Sequence, residues 1–174
     1  MAKRPFFELA FAAAFLWLST AADAAPPQLL NKTITVTTSV SVPAIGSDGT
    51  DKIRSREKTR IIYVSSQGRL FVRVTQRTRR DASDKEMGPN EGGTNLHFVG
   101  NKLIGNIQFS SGASQLTISF DPSFQNCSAD LVIGTEAGKP RVWKSLSGVT
   151  LTSTGKSVVT GSSCAIRDGN AFAD

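Results

Sequence analysis

Histidine and cysteine are nearly missing from this chain. His97 is the single histidine, and Cys127 and Cys164 are the only cysteines among 174 residues. Zinc sites draw on clustered Cys and His, yet neither cysteine sits in a CxxC pair or beside the histidine. A Ser-His-Asp triad needs a placed nucleophile, and no G-x-S-x-G elbow occurs. Asp48-Gly49-Thr50-Asp51 and residues 81–86 carry acids without the spacing of an EF-hand loop. Residues 148–157 (GVTLTSTGKS) come nearest to a phosphate loop, but six residues stand where four are required and no helix follows. No metal, cofactor or catalytic residue is assigned, and the chain reads as non-enzymatic.

Long apolar runs are missing too. The longest, residues 9–18 (LAFAAAFLWL), is half of the roughly 20 residues a membrane-spanning helix needs. It follows Lys3 and Arg4 and precedes Ala22-Asp23-Ala24, the pattern of a cleaved secretory signal peptide. Residues 1–24 are therefore expected to be removed, leaving 25–174 as one domain in the periplasm or outside the cell. Aromatics become scarce once the leader is set aside, because Phe6, Phe7, Phe11, Phe15 and Trp17 go with it. The core must rest on Val, Ile and Leu. In an oxidising compartment the cysteine pair is expected to form one Cys127–Cys164 disulfide.

What the chain has in quantity is period-two alternation. In residues 30–42 (LNKTITVTTSVSV) Ile34, Val36, Val40 and Val42 share one face, with Thr and Ser on the other. Pro43 and the Gly46–Gly49 segment are expected to end that strand. Strands at 58–65 and 69–79 flank Ser66-Gln67-Gly68, a three-residue hairpin loop with glycine third. This register puts Ile62, Val64, Leu70, Val72 and Val74 on one face. Strands at 96–99 and 102–109 flank Gly100-Asn101, and His97 points away from the face of Leu96 and Phe98. Further strands are expected at 115–120, 127–134, 141–144, 149–153 and 157–166. Tight turns imply antiparallel pairing. The expected fold is all-β, a single antiparallel domain of about eight to ten short strands. An up-and-down barrel is preferred, with a two-sheet β-sandwich as the alternative.

Charge is the strongest local signal. The formal net charge is +6, and the leader's own charges cancel. Residues 52–80 hold ten Lys or Arg against one acid, Glu57. On the strand at 69–79, Arg69, Arg73, Arg77 and Arg79 share an outward face with Phe71, where side chains two residues apart stand roughly 6.7 Å from one another. Such a row suits a polyanion, with Phe71 as a stacking surface. A solvated face neutralised by Asp81, Asp84, Glu86 and Glu91 is the plainer reading. Trp143, beside Arg141 and Lys144, is either a core residue or a stacking surface. The expected function is binding of an anionic polymer, a lipid headgroup, another anionic envelope component or a protein partner. A lipocalin-like barrel carrying a small apolar ligand and a hydrolase of unrecognised type are the rivals.

Overall fold

Strand β1 (Lys32–Gly46) organises the molecule, because both of its edges are paired over most of its length. On one side it pairs with β2 (Asp51–Val64), which continues into β3 (Leu70–Thr78) and the short β4 (Ala82–Ser83). A meander of β5 (Thr94–Val99), β6 (Lys102–Phe109), β7 (Gly112–Phe120) and β8 (Cys127–Glu136) forms a second sheet. The chain then returns to the first sheet through β9 (Val142–Lys144), β10 (Thr150–Ser153) and β11 (Val158–Asp168). There β11 takes the free edge of β1 from Lys32 to Ser41, and β10 takes it from Ala44 to Gly46. Every pairing is antiparallel. This computed structural model describes residues 24–78, 82–83, 94–109, 112–136, 140–145 and 148–172. The leader reading, Arg79, and the acids Asp81, Asp84, Glu86 and Glu91 lie outside them.

The all-β antiparallel expectation holds. The first sheet curls as a half-barrel against the second, so the architecture lies between the barrel and the sandwich. The seam is at β8 and β11. There the Cys127–Cys164 disulfide joins the sheets, with Cα atoms 5.5 Å apart, inside the usual range of about 4.4–6.8 Å. Beside it the Ser162 hydroxyl donates to the Ala129 carbonyl at 2.6 Å.

Alternation makes the core. Ile34, Val36, Ile62 and Val64 of the first sheet are fully buried against Leu103, Leu116 and Ile118 of the second. Phe98 and Phe120 pack with ring centroids 6.5 Å apart. Leu29, in a short 3-10 turn at Pro27–Leu29, fills the same cluster. The chain thus joins the core within a few residues of the expected cleavage point. The hairpin register is the expected one: Ser65 N–H donates to the Arg69 carbonyl at 2.9 Å, and Gly68 takes φ 75°. No side chain but hydrogen adopts that conformation without strain.

Strands β1 and β2 run furthest past the bounds that the alternation predicts. β1 runs through Pro43 to Gly46. The Pro43 carbonyl accepts from Thr154 N–H at 3.0 Å, so the missing proline donor falls on the side where β11 hands over to β10. No ladder bond is lost there, which is where a sheet tolerates proline. β2 begins at Asp51, seven residues before the expected start, and this extension carries the site.

A candidate anion site between the two sheets

Side chains on a strand alternate, so the burial of Ile62 and Val64 fixes the direction of every even-numbered residue of β2. Read backward from Ile62, the inward positions are Arg60, Lys58, Arg56 and Arg54. Burial fades along them: Arg60 is 3% exposed, while Lys58, Arg56 and Arg54 are half-buried. The inner face of β2 is therefore apolar at one end and cationic at the other. Its cationic end floors a cleft of about 150 Å³.

The walls of this cleft differ in chemistry. The first sheet supplies Thr38, Val40, Arg56, Lys58 and Arg60, with Arg141, Trp143 and Ser157 from the segment that returns to it. The second sheet supplies Ile107, Ala113, Ser114, Leu131 and Ile133. No Asp or Glu is among the described residues that line it. Trp143 lies on β9, where it pairs with Leu151. The Arg54 guanidinium stands 4.5 Å from its ring centroid and that of Arg141 5.6 Å, distances at which cation–π attraction operates. Arg141 is further fixed by donating from Nη2 to the Ser157 hydroxyl at 2.6 Å. Arg54, Arg56, Lys58 and Arg141 all hold further neighbours, so these cations are positioned groups.

Arg60 is the most buried member. Its Nη1 donates to Thr38 Oγ1 at 3.3 Å, yet its Nε is buried with no hydrogen-bond partner. A buried charge normally finds partners for its donors, because stranding one costs several kcal/mol. Burial, with a smaller contribution from Arg56, lowers the Arg60 pKa to about 10. Lys58 is lowered to about 8, first by burial and then by repulsion from Arg56 and Arg60. Two charges about 7 Å apart repel by roughly 2 kcal/mol at an effective dielectric constant of 20. An anion in the cleft would relieve that repulsion.

The outward row is less continuous than its spacing predicts. Arg69 is exposed at the hairpin, and Phe71, 38% exposed, packs its ring 6.2 Å from that of Tyr63. Arg73 is half-buried with its guanidinium 4.8 Å from the Phe172 ring centroid. Arg77 pairs in register with Glu57; its side chain, like all of Arg79, lies outside the described positions. His97 is half-buried, with Nδ1 3.4 Å from the Asn95 carbonyl oxygen. Asp48 closes its turn by accepting from Thr50 N–H and hydroxyl. Among the described residues no three His, Cys, Asp or Glu gather as metal ligands.

Of the candidate binding residues whose side chains are described, only Trp143 lines the cleft. Arg54, Arg56, Lys58 and Arg60 belong to the basic run at 52–80, and composition alone does not mark them as one inward face. The signal for them was present, since the period of two that buries Ile62 and Val64 continues backward without interruption. No protein-family model, curated protein or solved structure matches the chain.

Proposed function

We propose that this protein is an exported, non-catalytic binding domain that takes an anionic ligand into the cleft between its sheets. One observation carries the reading: the buried Arg60, with an unpartnered Nε, at the base of a cleft also lined by Arg56, Lys58 and Arg141. The ligand is a small anion or the anionic end of a larger molecule. A volume of about 150 Å³ is below the roughly 300–1,000 Å³ of pockets that enclose drug-sized ligands. A flexible polyanion lying along the outer Arg69–Arg73 face is the weaker reading, because Phe172 covers part of that face.

Isothermal titration calorimetry with inorganic phosphate at low salt tests the reading. Arg60→Met should weaken binding at least tenfold, whereas Arg69→Ala should leave it within twofold. Equal loss in both variants, or retention in Arg60→Met, refutes the cleft as the site. Thermal stability gives a second readout. Replacing a buried charge by an apolar side chain of similar length is often neutral or stabilising, so Arg60→Met should melt no lower than the parent by more than the loss of one hydrogen bond, about 1 kcal/mol.

A further inference from the structure

The two walls of the cleft specify more than charge. Resting on the cleft reading above, we propose that the ligand is a phosphate monoester with a short apolar substituent. Its phosphoryl group faces Arg56, Lys58, Arg60 and Arg141, and its organic part lies against Ile107, Leu131 and Ile133.

The phosphoryl assignment follows from the donors. Arg60, Lys58 and Arg56 rise from the floor at alternate positions of β2, while Arg141 enters from the β9 side. Donors arriving from separate directions suit a tetrahedral group whose oxygens point apart. A planar carboxylate offers two oxygens in one plane and a single charge, and is satisfied by one guanidinium fork. A phosphate monoester carries a charge of about −1.5 to −2 near neutral pH and three terminal acceptor oxygens.

The ester assignment follows from the opposite wall. Ile107 is 3% exposed and Leu131 8% exposed, and Ile133 packs on the same cluster. Among the described residues, Ser114 is the one lining residue of that sheet with a polar side chain. A free inorganic anion filling the cleft would leave oxygens facing carbon, which costs hydration without a hydrogen bond in return. An ester turns its alkyl or aryl part to that wall. The shared chemistry fits both a soluble phosphate ester and the headgroup of a phosphomonoester lipid.

Calorimetry on protein expressed from the full chain, at pH 7 and low salt, tests the class with a wild-type series. The probes are inorganic phosphate, methyl, ethyl, propyl and butyl phosphate, and pentanoate. Affinity should rise up to about fourfold for each methylene buried, so that butyl phosphate binds at least tenfold tighter than inorganic phosphate. Pentanoate should bind at least tenfold more weakly than butyl phosphate. Ile133→Thr should flatten the alkyl series. Co-sedimentation with phosphatidylcholine vesicles containing phosphatidic acid separates the two sources. Capture by those vesicles but not by phosphatidylcholine alone assigns the headgroup, and butyl phosphate binding without capture assigns a soluble ester.

The failures are distinguishable. Equal affinity for inorganic and butyl phosphate overturns the ester while the cleft stands. Pentanoate binding as tightly as butyl phosphate overturns the phosphoryl group. Absence of binding for every anion, or binding that survives Arg60→Met, overturns the underlying reading.

Discussion

Removing the disulfide gives the most calculable perturbation. Cys127 and Cys164 are 37 residues apart in sequence, and the cross-link confines the unfolded chain to a closed loop of about that length. The chain-entropy relation assigns roughly 4 kcal/mol to such a loop. For a domain of about 150 residues the unfolding entropy near the midpoint is roughly 0.3 kcal/mol/K, so the melting temperature should fall by about 12 °C. The assay is calorimetric melting of the Cys127→Ala, Cys164→Ala double variant beside parent protein kept reduced in the same buffer. Both should lose the same amount, since the effect lies in the unfolded ensemble. The urea m-value should rise in both, because an uncross-linked chain exposes more surface. A drop under about 3 °C refutes the reasoning. So does a large drop in the Ala variant with none in the reduced parent, which would assign the loss to packing at the seam.

Other outcomes follow from named contacts. Leu116→Ala should cost about 2–5 kcal/mol in denaturant titrations, because Leu116 is fully buried between the sheets. Gly134→Ala should destabilise by about 1–3 kcal/mol, as an added Cβ would lie 2.8 Å from the Ala113 carbonyl oxygen. Asp121 accepts from Ser123, Gln125 and Asn126, and its hydrogen bonds, led by that with Asn126, lower its pKa to about 2. Its contribution is present above pH 4 and lost as pH falls toward 2, so Asp121→Asn should remove that part of the acid sensitivity in pH-dependent melts. Lys58 has the opposite proton balance, since the unfolded chain binds its proton more tightly than the fold, where the pKa is about 8. Stability should rise from pH 8 toward 10.5, and Lys58→Met should abolish that slope. Among the described residues, the charged groups that line the cleft with Lys58 are Arg56, Arg60 and Arg141.

The strands were legible where apolar residues alternate with polar ones. The hairpin at Ser65–Arg69 is fixed by local chemistry, and so is the Val99–Lys102 pairing. The start of β2 was not legible, because residues 51–57 reverse the usual sense. Arg54 and Arg56 point inward while Ile53, on the outer face, is 74% exposed. An alternation of charge against a single isoleucine resembles a solvated loop until Ile62 and Val64 set its phase. Arg69 and Phe71 of the outward row are exposed, but Phe172 reaches Arg73 from about a hundred residues away. The division into two sheets was hidden for the same reason. It depends on which edge of β1 the last strands occupy, and local patterns carry no information about that.

That choice of edge has a kinetic consequence. The pairing of Thr38 with Ser162 and Val36 with Cys164 joins positions more than a hundred residues apart, and the Thr33 hydroxyl closes the arrangement by donating to the Gly169 carbonyl at 2.7 Å. Contacts so distant in sequence form late, since loop closure must precede any gain from them. Until β11 arrives, the β1 backbone from Lys32 to Ser41 presents a row of unsatisfied donors and acceptors flanked by Ile, Val and Thr. Such an edge recruits strands from other chains. A chain truncated before Val158 should therefore assemble into aggregates while keeping strand-rich circular dichroism, and the full chain should refold slowly and with a yield that falls as protein concentration rises. The last eleven-residue strand acts as the latch that closes the edge of β1.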